Sequence, residues 1–212
     1  MQSHLVNDIF DILSKEIPNP KTELNYSNPF TLLVAVVLSA QSTDKAVNKV
    51  TDSLFQIIKQ PQDILDLGID NLEKHIKSIG LYKTKAKNIY NLSYDILHKY
   101  NGEIKNDKKM LLSLSGVGIK TANVILNTLF NEETIAVDTH VSRVSIRLNL
   151  TKSNNLAIIE QDLLQTIPKK YLQNAHNLLI LHGRYICKSK KPKCKDCKIN
   201  HLCFFFKKEA SF

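Results

Sequence analysis

Leu114-Ser115-Gly116-Val117-Gly118-Ile119-Lys120-Thr121-Ala122 joins two helical segments through a turn that holds two glycines. Before it, Asp107 can cap a short helix over Leu111, Leu112 and Leu114. After it, the apolar spacing predicts a helix over about residues 119–130. Glycine tolerates positive φ and lets another backbone approach closely, so the turn suits an ordinary tight αα-hairpin or the seat of a ligand. The N–H groups that open the second helix, beside the positive end of its dipole, suit an anion such as a DNA phosphate.

Working outward, helical signals recur on both sides. Asn28-Pro29 opens a segment, residues 30–38, that is apolar all round and therefore expected to be buried. Thr43 can cap a helix on which Ala46, Val47, Val50, Leu54, Ile57 and Ile58 share a face, with Pro61 ending it. Leu72, Ile76 and Ile79 mark a short helix closed by Gly80. A stripe of Ile89, Leu92, Ser93, Ile96, Leu97 and Tyr100 ends at Asn101-Gly102. Three more helices are expected over residues 139–148, 156–167 and 172–186. Thr134, Ile135 and Val137 are β-branched but have no nearby strand to pair with, so the fold class is all-α. A weak repeat relates Gly80-Leu81-Tyr82-Lys83-Thr84-Lys85-Ala86 to Gly116-Val117-Gly118-Ile119-Lys120-Thr121-Ala122; glycine joints between helices also produce such likeness by chance.

The chain has 212 residues, 43% hydrophobic and 23% charged, enough for one sizeable core or two small ones sharing a groove. Its 29 Lys and Arg against 20 Asp and Glu leave a net charge of +9, which favours a polyanionic partner, a nucleic acid or an anionic membrane surface. The longest apolar run, 32–38, is far shorter than the roughly 18 residues of a membrane span. Residues 1–16 are interrupted by Asp8 and Asp11 and hold no secretion signal, so a cytoplasmic, nucleoid-associated location is expected. Disulfides are rare in that compartment. All four cysteines nevertheless fall in Cys187-x6-Cys194-x2-Cys197-x5-Cys203, and four soft ligands in one loop suit a tetrahedral zinc or an iron–sulfur cluster. The same loop carries Lys188, Lys190, Lys191, Lys193, Lys195 and Lys198 against Asp196, a solvated surface or, once fixed by a metal, a phosphate-binding face.

Lys120 lies in the first turn after the glycines, where the helix dipole works against a cation and favours the neutral amine. A neutral lysine is a Schiff-base nucleophile. Read alone, a lysine beside a turn is usually a solvated charge.

These residues, taken together, resemble the endonuclease III family of DNA glycosylases. The stretch Leu114 through Ala122 is similar to the family's helix-hairpin-helix. Thr134-Ile135-Ala136-Val137-Asp138-Thr139-His140-Val141 resembles its second signature, and the cysteine spacing resembles its [4Fe–4S] loop. The likeness extends to Leu38-Ser39-Ala40-Gln41, Ile79-Gly80-Leu81-Tyr82 and Leu181-His182-Gly183-Arg184-Tyr185, in order along nearly the whole chain. The resemblance implies two all-α lobes around a DNA-binding cleft: residues 22–132 with the hairpin, and 1–21 with 133–212 carrying the cluster loop 187–203.

By resemblance, Lys120 attacks C1′ of a damaged nucleotide and Asp138 is the catalytic carboxylate, facing it across the mouth of the cleft. Asp138 also reads as a helix N-cap. The resemblance assigns Gly116, Val117, Gly118, Gln41, Leu81 and Lys191 to DNA, with Gln41 and Leu81 filling the space of an extruded base; without it they read as a turn, a polar helix end and a core leucine. His140 is taken as structural or phosphate-facing. The implied activity is removal of oxidised pyrimidines with cleavage 3′ to the abasic site by β-elimination, through a Lys120 imine, on double-stranded DNA, by a monomer and with no membrane partner. Three positions depart from the family pattern: Ser115 replaces a proline, Ile119 a basic residue and Leu112 a frequent acid. An adenine-DNA glycosylase is disfavoured, because such proteins generally lack the lysine and carry a further C-terminal domain. A non-catalytic DNA-binding module with a structural metal would need neither Lys120 nor Asp138, and a third reading is a lyase acting mainly at existing abasic sites, with poor base removal.

Overall fold

The computed structural model describes residues 3–209; the outermost parts of the expected second lobe, residues 1–2 and 210–212, lie outside the described residues. Twelve α-helices and one short 3-10 turn make up the regular structure of the described residues, with no strand among them. The chain divides into two compact units, Glu23–Phe130 and Met1–Thr22 with Asn131–Phe212.

The unit Glu23–Phe130 is built around α2 (Pro29–Ser39), whose residues from Phe30 to Leu38 are all buried. Its start is fixed by a capping box. The Asn28 side chain accepts from the Thr31 N–H at 2.9 Å, the Asn28 N–H donates to Thr31 Oγ1 at 3.0 Å, and Pro29 takes the first helical position. Against α2 pack α3 (Asp44–Ile57), α6 (Tyr82–Tyr100) and α8 (Ile119–Phe130). Thr43 caps α3 as the sequence predicts, with its hydroxyl accepting from Ala46 N–H at 3.2 Å. α6 ends at Asn101 and Gly102, both at positive φ.

Pro61 does not end α3, which stops at Ile57; it opens a further helix, α4 (Pro61–Leu67), which the apolar pattern does not reveal. Proline fits the first turn of a helix, and the Asp63 carboxylate completes the start by accepting from Gln60 N–H at 3.0 Å. Gly68, at φ +75, separates α4 from α5 (Ile69–Ile76). Gly80 does not close α5: that helix ends at Ile76, and the chain turns left-handed at Leu81 instead. α7 (Lys108–Ser113) packs on α8, and the Asp107 side chain accepts from Lys109 N–H at 2.8 Å and Met110 N–H at 3.2 Å.

In the other unit, α1 (Ser3–Glu16) lays Val6, Ile9, Phe10 and Leu13 into a core shared with α9 (Thr139–Arg147), α10 (Leu156–Thr166) and α11 (Lys169–Tyr185). Phe10 stacks on Tyr171, whose hydroxyl donates to the Asp11 carboxylate, tying α1 to α11. The described residues close with the cysteine loop, a 3-10 turn at Asn200–Leu202 and α12 (Phe204–Glu209), the last absent from the three helices expected beyond Thr134.

Candidate functional site

The glycine turn is a hairpin set by one hydrogen bond and one left-handed residue. Leu114 leaves α7 extended (φ −78°, ψ 139°), Gly116 sits at φ +79°, and Val117 N–H returns to Leu114 O at 3.1 Å. This is the pattern of a type II turn, whose third residue requires positive φ. A Cβ on Gly116 would also lie 2.9 Å from Asn88 Nδ2, on α6. Gly118 is different: its φ is not positive, and an added Cβ would meet nothing within 4 Å. The positive φ open to both glycines is therefore adopted by Gly116 alone. The space that a Cβ on Gly118 would enter, at the start of α8, is open. Val117 is buried beneath the turn, while Gly118, just before α8, and Ile119 and Lys120, in its first turn, are exposed.

Two further candidates share this unit. Gln41 (φ 53°) and Leu81 (φ 60°) are exposed and left-handed, Leu81 being 59% exposed rather than the core leucine that its type suggests. A side chain in that region costs about 1–2 kcal/mol. Among the described residues, the non-glycine residues at positive φ are Asn101, Asn131 and Asn149, of a type that tolerates it, and Gln41, Leu81 and Lys191, of types that seldom adopt it. All three of the latter are candidate DNA contacts.

Asp138 belongs to the other unit. It is half-buried and caps α9, with Oδ1 accepting from His140 N–H at 2.9 Å and Val141 N–H at 2.8 Å. His140 is a brace: its Nδ1 meets Arg143 Nη2 at 3.2 Å, and Arg143 also donates to Gly183 O at 2.8 Å and Cys187 O at 3.0 Å. Gly183 lets α11 lie against α9, since a Cβ there would come within 3.0 Å of His140 Cβ.

Cys187, Cys194, Cys197 and Cys203 line one small apolar cavity with Leu148, Ile199, Phe205 and Phe206. No three His, Cys, Asp or Glu side chains among the described residues converge at the spacing of a single bound ion. Burial, reinforced by the charges of the other three cysteines, pushes the Cys197 thiol up to about 11, and burial raises that of Cys203. Four thiolates lining one small cavity repel one another, and positive charge such as a metal centre supplies is what lets them coexist. Sequence reasoning missed the residues that hold this loop. Arg147 donates to Lys188 O at 2.7 Å and Ser189 O at 3.1 Å, reaches Cys187 Sγ at 3.4 Å and stacks over Phe205 at 4.5 Å. The signal for them is the Arg143/Arg147 pair, one turn apart on α9. His182, 3.8 Å from Cys197 Sγ, is held neutral by burial, its pKa lowered to about 4. The six loop lysines are all exposed.

Residues 34–169, a span that includes the hairpin, Lys120 and Asp138, match the model of the HhH-GPD superfamily base excision DNA repair proteins. The endonuclease III of Rickettsia conorii is 54% identical over 206 residues, 97% of this chain and 98% of that one. The chain belongs to the endonuclease III family. The Escherichia coli K12 member is 45% identical over 95% of both chains. A solved endonuclease III, trapped with DNA as a covalent intermediate in an estranged-adenine complex, superposes with a TM-score of 0.92 at 43% identity, covering 99% of each chain. Within this family frame, the departure at Ser115 falls on the second residue of the type II turn, where proline is favoured, and Ile119 leaves an apolar side chain beside Lys120. No helix among the described residues is long and apolar enough to cross a membrane.

Proposed function

We propose that this chain is a bifunctional DNA N-glycosylase and AP lyase of base-excision repair, acting through Lys120 on oxidised pyrimidines in double-stranded DNA. The observation that carries the assignment is the exposed Lys120 one residue into α8, directly behind the glycine turn, at a helix start that suits a DNA phosphate. A phosphate seated there brings the neighbouring sugar to the amine. The Lys120 nitrogen attacks C1′ as the bond to the base breaks; the base leaves with the electron pair of that bond and gains a proton. Loss of the amine proton and opening of the sugar ring give an imine, and removal of a C2′ proton then expels the 3′ phosphate. Asp138 serves as the carboxylate that takes the amine proton or faces the cationic sugar. Gln41 and Leu81 fill the gap left by the extruded nucleotide, since C1′ is inaccessible in a stacked duplex.

The four cysteines hold a [4Fe–4S] cluster, which fixes the loop on which Lys191 and its neighbours meet the backbone. The enzyme works as a monomer in the cytoplasm, at the nucleoid. The test is borohydride trapping on a labelled duplex carrying one thymine glycol, with an abasic duplex as control. A covalent band with the wild type on both duplexes, and none with Lys120→Gln, is expected. Trapping on the abasic duplex alone would reduce the enzyme to a lyase. No band on either, with binding intact, would leave a DNA-binding module.

A further inference from the structure

Lys85 lies one turn into α6 and is 4% exposed, with no carboxylate among the described residues contributing to its ionisation. Its ammonium donates to Leu38 O at 2.9 Å and to Ser42 Oγ at 3.0 Å. Those two acceptors bracket Gln41. The Ser42 N–H also returns to Ser39 O at 3.0 Å, so residues 39–42 are stitched at both ends around one exposed, left-handed side chain. The Lys85 backbone N–H donates to Leu81 O at 3.0 Å. Farther along α6, Asn88 lies under Gly116. Lys85 and Asn88, three residues apart on α6, share a helical face that meets the Gln41 link and the glycine turn, while left-handed Leu81 precedes the helix and is tied to it by the Lys85 N–H.

A buried ammonium held by two neutral oxygens is a poor source of net stability, because desolvation opposes most of what the bonds return. What the two bonds do fix is position. We propose that Lys85 is a positioning residue for damage recognition: it locks the 39–42 link to α6, so that Gln41 and Leu81 are presented to the duplex as one rigid pair. This inference rests on the reading of Gln41 and Leu81 as the residues that fill the extruded-base gap.

The test is a double-mutant cycle in the full-length enzyme: Gln41→Ala, Lys85→Met and the pair together. Single-turnover imine trapping is followed on an abasic duplex with 2-aminopurine opposite the lesion. Losing charge-assisted bonds that hold Gln41 is expected to slow trapping about tenfold. The 2-aminopurine fluorescence of Lys85→Met should shift toward that of Gln41→Ala, both reporting an unfilled gap. Added to Gln41→Ala, Lys85→Met should cost less than about twofold more, because the two act as one unit. Should Lys85→Met not fold, Ser42→Ala removes one of the two acceptors and should give a smaller effect with the same lack of additivity. A full further tenfold loss in the Gln41→Ala background, or a wild-type rate for Lys85→Met, overturns the inference and leaves the Gln41 reading standing. A wild-type rate for Gln41→Ala overturns both.

Discussion

Alanine placed at Gly116 and at Gly118, one at a time, should separate a glycine that the fold requires from one that the ligand requires. At Gly116 the backbone is at φ +79°, and the new methyl would lie 2.9 Å from Asn88 Nδ2, 3.0 Å from its Cβ and 3.1 Å from its Cγ. The left-handed backbone costs about 1–2 kcal/mol for alanine. Overpacking against a helical side chain adds about 1–3 kcal/mol. A middle value of roughly 3 kcal/mol lowers the melting temperature of a chain this size by about 6–12 °C. At Gly118 there is no left-handed backbone and no neighbour within 4 Å, so stability should change by less than about 0.5 kcal/mol. The Gly118 methyl would, however, enter open space at the start of α8, the place proposed for a DNA phosphate. Loss of one charge-assisted bond to phosphate there weakens binding about tenfold or more. Thermal unfolding by circular dichroism and anisotropy with an uncleavable abasic duplex measure the two effects. Asn88→Ala added to Gly116→Ala removes the 2.9 and 3.1 Å contacts but leaves the Asn88 Cβ at 3.0 Å, so it should restore only part of the loss. Equal melting losses at both glycines, or a Gly116→Ala protein as stable as the wild type, would refute this division.

Ser115→Pro should raise stability by about 0.4–1 kcal/mol, since the second position of a type II turn favours proline and extended Leu114 accommodates a following proline; a lower melting temperature would argue against the turn assignment. Lys191→Gly relieves the φ 50° strain while deleting one cation, so melting should hold and the slope of log affinity against log salt should shrink by about 0.9 if that lysine meets one phosphate. His182, held near 4 against an ordinary 6.5, is neutral in the fold, so the stability that depends on its neutrality is present above about pH 6.5 and is lost as pH falls toward 4. Urea midpoints measured over that range should fall more steeply for the wild type than for His182→Asn, and parallel curves would contradict it.

The helices that the sequence discloses are those whose signal is local. Residues 30–38 are apolar on every side, and the segment after Gly118 runs as a helix over Ile119–Phe130 because nothing within it breaks the spacing. α4 escaped because proline carries two meanings, stop and start, and only the Asp63 carboxylate three residues beyond Gln60 decides between them. Most of the candidate site is likewise local: the hairpin, Asp138 as a cap and the four cysteines each occupy one short stretch. What was illegible depends on tertiary contact. Nothing in Lys85 marks it as buried, nothing in Arg147 marks it as the clasp of the cysteine loop, and Leu81 by type belongs in a core. The repeat between the two glycine turns also dissolves at this level, since the left-handed residue is Leu81 in the first and Gly116 in the second.

The left-handed non-glycine residues divide by type. Asparagine adopts this conformation at modest cost, and Asn101 closes α6 in that way. Gln41, Leu81 and Lys191 occupy the same region with side chains that gain nothing locally, and each is exposed. A turn needed only for chain reversal would be better served by glycine or asparagine at all three places. At Gln41 the bonds from Lys85 to Leu38 O and Ser42 Oγ hold the segment that carries the left-handed residue. Backbone strain kept beneath an exposed side chain is the expected mark of a residue that works outside its own fold. On that ground Gln41, Leu81 and Lys191 are better candidates for contact with DNA than any surface residue chosen by charge alone.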